Sequence, residues 1–191
     1  MPRPDKLPKV LTDAETERLL GQPNLRYYGP HRDYLFMRLM LNAGLRASEA
    51  VSLQPEHVDL MSGKLMVREG KGAKDRTLWL GEDVLDDLRE WVDSRKAIAG
   101  ESDWLLPTRN GTMVATSHLR RSIKRYAHDA EIDDVERVSP HTLRHTFATR
   151  LYRQTGKIRM VQKALGHSDL STTMIYTHVV DEELEGAMKG L

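Results

Sequence analysis

Residues 31–53, HRDYLFMRLMLNAGLRASEAVSL, decide how the chain folds. Leu35, Phe36, Leu39, Met40 and Ala43 recur at helical spacing, which predicts a core helix with one apolar face. Gly44 interrupts it, and a second, short helix is expected from Ala47. Upstream, LTDAETERLLG (11–21) offers Thr12 or Asp13 as an N-cap and an acid three residues on. It ends at Gly21, the pattern of a short capped helix. Downstream the character changes. HVDLM (57–61), KLMVRE (64–69) and RTLWL (76–80) are short, rich in β-branched and aliphatic residues, and separated by the turn compositions SG and GKGAKD. They predict three antiparallel strands. GEDVLDDLREWVDSRKAI (81–98) is amphipathic with Val84, Leu85, Leu88, Trp91 and Val92 inward, and SHLRRSIKRYAHDA (117–130) follows the loop at PTRNGT. Helices over 140–156, 158–165, 171–179 and 181–189 complete the chain. The expected class is mainly α with a small three-stranded antiparallel sheet, α+β.

The composition bounds what such a fold can do. With 191 residues, 39% of them hydrophobic, the chain can bury one real core. It has no cysteine, which removes disulfide and zinc-thiolate frameworks and is compatible with a reducing interior. No apolar run approaches the ~18 residues of a membrane span, and MPRPDKLPKV (1–10) lacks the apolar stretch of a signal peptide. A soluble, cytoplasmic protein without membrane partners is expected. The formal net charge of +1 is uninformative, but its distribution is not. Residues 139–180 carry a net +5 and residues 79–103 a net −5, so one face suits a polyanion. The alternative is that each run is a solvated helix face.

Chemistry-bearing residues cluster toward the C-terminus. In SPHTLRHTFATRL (139–151), His141 and Arg144 stand three apart on one helical face, with Pro140 in the first turn and Ser139 as cap. Both could reach one anion near the helix start, where free N–H groups also favour negative charge. His141 and His145, four apart, also have the spacing of a metalloprotease helix, with His167 as a third ligand. The glutamate base of that motif is missing and Arg144 would sit beside the cation, so no metal is assigned. His167 in ALGHSDLS and Tyr176 in TTMIYTH would oppose each other on one helix, but Gly166 and a Ser171 N-cap break the chain between them. The break allows both to face one site. Tyr176 alone is as readily a core tyrosine. Upstream, Arg46 has Glu49 three residues on, able to orient its guanidinium, and Lys71 sits at the predicted hairpin tip. GKG there is not a nucleotide phosphate loop, because the spacing is wrong and no Ser or Thr follows Lys71.

The order GLRASE, GKGAKDR, HTLRHTFAT, LGHSDLSTTMIYTH resembles the catalytic domain of the tyrosine recombinases, the phage-integrase family, with the Xer-type resolvases the most similar subgroup. The resemblance runs from about Pro8 to Thr177. It implies that Arg46 and Arg144 are the catalytic arginines, Lys71 the hairpin lysine, His141 and His167 the two histidine positions, and Tyr176 the nucleophile. It further implies site-specific DNA recombination through a 3′-phosphotyrosyl intermediate, with neither metal nor ATP as cofactor. His145 is expected to be structural, since one residue beyond Arg144 it turns about 100° away on a helix. Arg120, Arg121, Lys124 and Arg125, with Lys74 and Arg76 near the hairpin, are candidate contacts to double-stranded DNA.

The expected layout is a linker or tail over 1–10, a catalytic domain over 11–180 and a helical tail over 181–191. The separate helical domain that family members carry ahead of the catalytic one is absent from this sequence, and an excised fragment of a longer recombinase explains that better than a naturally short form. The resemblance implies that the tail docks on a neighbouring protomer within a homotetramer on DNA, with weak or no self-association when free, and a helix folded back on its own domain is an equal alternative for the tail. Type IB topoisomerase-like relaxation and a non-catalytic DNA-binding module are the alternative functions.

Overall fold

The computed structural model describes residues 7–68 and 75–189, without the side chains of 182–187. Lys71 and Lys74 therefore lie outside the described residues. Helix α1, Asp13–Leu20, starts at Thr12 with a reciprocal cap: Glu15 N donates to Thr12 Oγ1 and Thr12 N to a Glu15 carboxylate oxygen. Helix α2, Tyr28–Ala43, begins three residues before the predicted stretch. Pro30 allows this, because the first helical turn has no N–H partner to lose. Leu35, Phe36, Leu39 and Met40 are fully buried, and α2 is the central post of the molecule. Gly44 ends it at φ +60°, and α3, Ala47–Val51, follows.

Gly44 is also where two parts of the chain touch. A Cβ on it would lie 2.3 Å from Phe147 Cδ1 and 3.1 Å from Leu165 Cδ2. The absent side chain lets the α2–α3 corner close against two later helices while adopting left-handed backbone.

The sheet has two strands rather than three. Strand β1, Lys64–Val67, pairs antiparallel with β2, Arg76–Trp79, in register Lys64 with Trp79 and Val67 with Arg76. The predicted strand over 57–61 survives only as a bridge between Val58 and Leu65. Its next residue explains why: Asp59 accepts from Met61 N and from Ser62 N and Oγ, folding the chain into a side-chain-capped turn before a ladder can form.

Four of the remaining helices pack beside or across this frame: α4, Glu82–Ala99; α5, Thr116–Asp129; α6, Pro140–Thr155; and α7, Ile158–Leu165. The last, α8, runs unbroken over Ser171–Lys189, so the expected interruption near residue 180 is absent. The sequence from Tyr176 to Glu185 contains neither glycine nor proline to impose one. Most buried apolar residues form one core around α2. A smaller cluster of Ala148, Val161, Leu165 and Tyr176 joins α6, α7 and α8.

Candidate active site

The site is built around one carboxylate. Arg46 occupies the N-cap position of α3, where Glu49, in the first turn, accepts from both Arg46 N and Arg46 Nη1 at 2.7 Å. The i,i+3 orientation expected from the sequence is what forms. Glu49 also receives Nη1 and Nη2 of Arg76 at 3.0 and 2.7 Å and lies 3.8 Å from Arg144 Nη1. Burial pushes the Glu49 carboxyl up, but the bonds from Arg76 and Arg46 overcome this and hold it at about 2.

Arg144 projects from α6 into the corner that Gly44 keeps open. Its Nη1 donates to Gly44 O at 2.5 Å and its Nη2 to Leu165 O at 2.7 Å, linking the ends of α2 and α7. Burial and the Arg46 charge push its pKa down to about 10. Nη2 also lies 3.2 Å from His167 Nε2. A guanidinium only donates, so Nε2 accepts and the His167 proton sits on Nδ1, directed to Thr173 Oγ1 at 3.0 Å. Thr173 was not singled out from the sequence. Its position three residues before Tyr176, on the same helix, is the signal that could have marked it.

Tyr176 is within the same region but faces inward. Its side chain is 1% exposed in the small core, and its hydroxyl lies 2.9 Å from His145 Nδ1. Burial pushes its pKa to about 12, against a smaller opposing pull from Arg144. His145 is thus not a bystander. The 100° turn does carry it away from the face of Arg144, but α8 crosses α6 on that other face and brings Tyr176 to it. His141, in the first turn of α6, is exposed and does not share the buried environment of Arg144.

Burial first, then the charges of His141, Arg144 and His167, push the His145 imidazole down to about 4 from its usual 6.5. Below 6.5 the unfolded chain binds a proton that the folded chain refuses, so the stability is complete above that pH and is lost as pH falls toward 4. Roughly 2 kcal/mol of it should be lost between pH 7 and pH 5, and about 3 in all. Urea unfolding should show wild-type stability dropping between about pH 7 and pH 5, with a shallower drop in His145→Gln. Parallel pH dependences would reject this origin.

Two DNA-contact expectations change. Arg76 is 7% exposed and committed to Glu49 and to Ala164 O, so it lies inside the molecule rather than at its surface. Its i,i+5 distance from Lys71 in sequence conceals that β2 turns it inward. On α5, Arg120, Arg121 and Arg125 are exposed, whereas Lys124 donates to Val135 O at 2.7 Å and pairs with Glu136 at 3.0 Å.

Residues 9–183 match the phage integrase family. The chain belongs to that family. The tyrosine recombinase XerD of Vibrio cholerae is 41% identical over 189 residues, covering 95% of this chain and 61% of XerD. Among solved structures, the XerA recombinase superposes with a TM-score of 0.83 at 33% identity, covering 98% of this chain and 66% of that one. XerH, captured on its palindromic difH substrate after cleavage, gives 0.83 at 30% identity, covering 96% and 53%. This phage-integrase chain thus spans about three-fifths of the length of XerD. It has no helix, among the described residues, long and apolar enough to cross a membrane.

Proposed function

We propose that residues 11–180 form the catalytic domain of a site-specific DNA recombinase, acting on double-stranded DNA, as a tetramer when bound, in the cytoplasm. The observation that carries this reading is the convergence of Arg46 and Arg144 on Glu49, with His167 on Arg144 and Tyr176 on the adjoining helix. Two guanidiniums held on a buried frame suit the non-bridging oxygens of a phosphodiester, where paired N–H donors match the charge of the transition state.

In the reaction, Tyr176 Oη forms a bond to phosphorus as the P–O5′ bond breaks, leaving a 3′-phosphotyrosyl link and a free 5′-hydroxyl. Lys71 supplies the leaving-group proton, since an amine can release one at moderate pH and a guanidinium cannot. His141 takes the tyrosine proton, and His167 bonds a phosphate oxygen. Attack by a 5′-hydroxyl from another strand reverses the step. The buried hydroxyl on His145 is the resting arrangement, so α8 must shift before Tyr176 reaches phosphate. Exposed Arg120, Arg121 and Arg125 supply backbone contacts.

A nicked or phosphorothiolate duplex carrying a site selected from random sequences tests the proposal. Wild-type protein should form an adduct that survives denaturant, and paired sites should yield recombinant strands. Relaxation of supercoils without recombinants would assign a topoisomerase instead, and full binding without an adduct would leave only a DNA-binding module.

A further inference from the structure

The described residue least explained by strand cleavage is Arg76. It heads β2, is nearly inaccessible, and cannot reach DNA as the molecule stands. Its two terminal nitrogens grip both oxygens of Glu49, the geometry in which arginine binds a carboxylate most strongly. Its Nε donates to Ala164 O at 2.9 Å. The next carbonyl, of Leu165, accepts from Arg144. Two guanidiniums therefore hold consecutive carbonyls in the last turn of α7, where a helix leaves carbonyls unpaired and favours positive charge.

We infer that Arg76 is a positioning residue for strand cleavage: it neutralises Glu49 and ties the strand following the Lys71 segment to α3 and α7, keeping Arg46 and Arg144 available to phosphate. The inference rests on the catalytic reading above and extends it to a residue that touches neither DNA nor the reacting atoms.

The physical reason is competition. Glu49 faces guanidiniums from three directions: Arg46 at the cap of α3, Arg76 on β2 and Arg144 on α6, the last also bound to His167. A phosphate needs the donors of Arg46 and Arg144 that an under-neutralised carboxylate would hold. With Arg76 present, Glu49 has a full buried counter-charge and orients Arg46 without monopolising it. With Arg76 gone, the same carboxylate turns to the two arginines that the chemistry uses.

Single-turnover adduct formation on the phosphorothiolate duplex, at saturating protein and well below the unfolding temperature of every variant, tests this. Arg76→Gln should slow adduct formation at least about tenfold at neutral pH, from loss of one partner of a buried charge pair. One recovery is expected that a purely structural role would not give. Adding Glu49→Gln to Arg76→Gln removes the carboxylate that holds Arg46 and Arg144 and should regain most of the lost rate. A double variant no faster than the single one overturns the proposal while wild-type adduct leaves the catalytic reading standing. Absence of adduct from wild type overturns both. If Arg76→Gln loses its helical circular dichroism, Arg76→Lys carries the same test. It keeps the charge but not the bidentate grip, so a smaller loss, again relieved by Glu49→Gln, is expected, and no relief rejects the inference.

Discussion

Tyr176→Phe should abolish the denaturant-resistant DNA adduct while leaving folding and DNA binding nearly intact. The ring of Tyr176 packs with Ala148, Val161 and Leu165, and phenylalanine fills the same volume. What the substitution removes is one hydroxyl, hydrogen-bonded to a neutral His145. Losing a neutral hydrogen bond and leaving one imidazole nitrogen unpaired costs on the order of 1 kcal/mol, well within the stability of a domain this size. The chemical loss is of another order. No other hydroxyl replaces the nucleophile, so adduct formation should fall by at least about 10⁴-fold, to the limit of detection. The readout is radiolabelled duplex retained with protein after boiling in detergent, beside gel-shift affinity and urea unfolding on the same preparation. An adduct formed equally well by Tyr176→Phe would remove Tyr176 from the mechanism. At rest that hydroxyl is buried against His145, and burial pushes its pKa up to about 12.

Much of this was legible in the residues, and the failures have identifiable causes. Helical periodicity found α2, and the Thr12 to Glu15 pattern found the start of α1, because both depend on contacts within a few residues. Glu49 could be paired with Arg46 for the same reason. The third strand failed where a single side chain, Asp59, diverted the backbone into a turn that alternation does not reveal. The surroundings of His145 and Arg76 were hidden for a different reason. Each was judged from its own element: His145 by its angle from Arg144, Arg76 by its nearness in sequence to Lys71. Their roles are set by α8 crossing α6 and by β2 facing α3 and α7, contacts spanning 31 and 27 residues of chain. The convergence of Arg46 with Arg144 was legible only through the order of motifs, because the Gly44 corner that joins them bridges 100 residues.

The same corner governs the second large effect. Arg144→Lys should reduce adduct formation by about 10²- to 10³-fold and make the remainder pH-dependent, although the formal charge is retained. Arg144 is held by two carbonyls of different helices, Gly44 O and Leu165 O, and donates as well to His167. An ammonium is one compact centre and cannot span these acceptors while still presenting a donor pair to phosphate. Burial and Arg46 already push the arginine to about 10. A lysine there starts near 10.4 rather than above 12, and the same burial and the Arg46 charge would push it further down. Its ammonium would therefore lose its proton at a lower pH than the guanidinium does. The activity of Arg144→Lys relative to wild type should therefore decline as pH rises across about 7 to 9, the range in which a guanidinium remains charged. Adduct rates across that range, with circular dichroism to establish folding, check both the size and the slope. A variant within about threefold of wild type at pH 7, where the ammonium is charged, would show that the two-carbonyl frame is dispensable, and the charge alone would then be the requirement at this position.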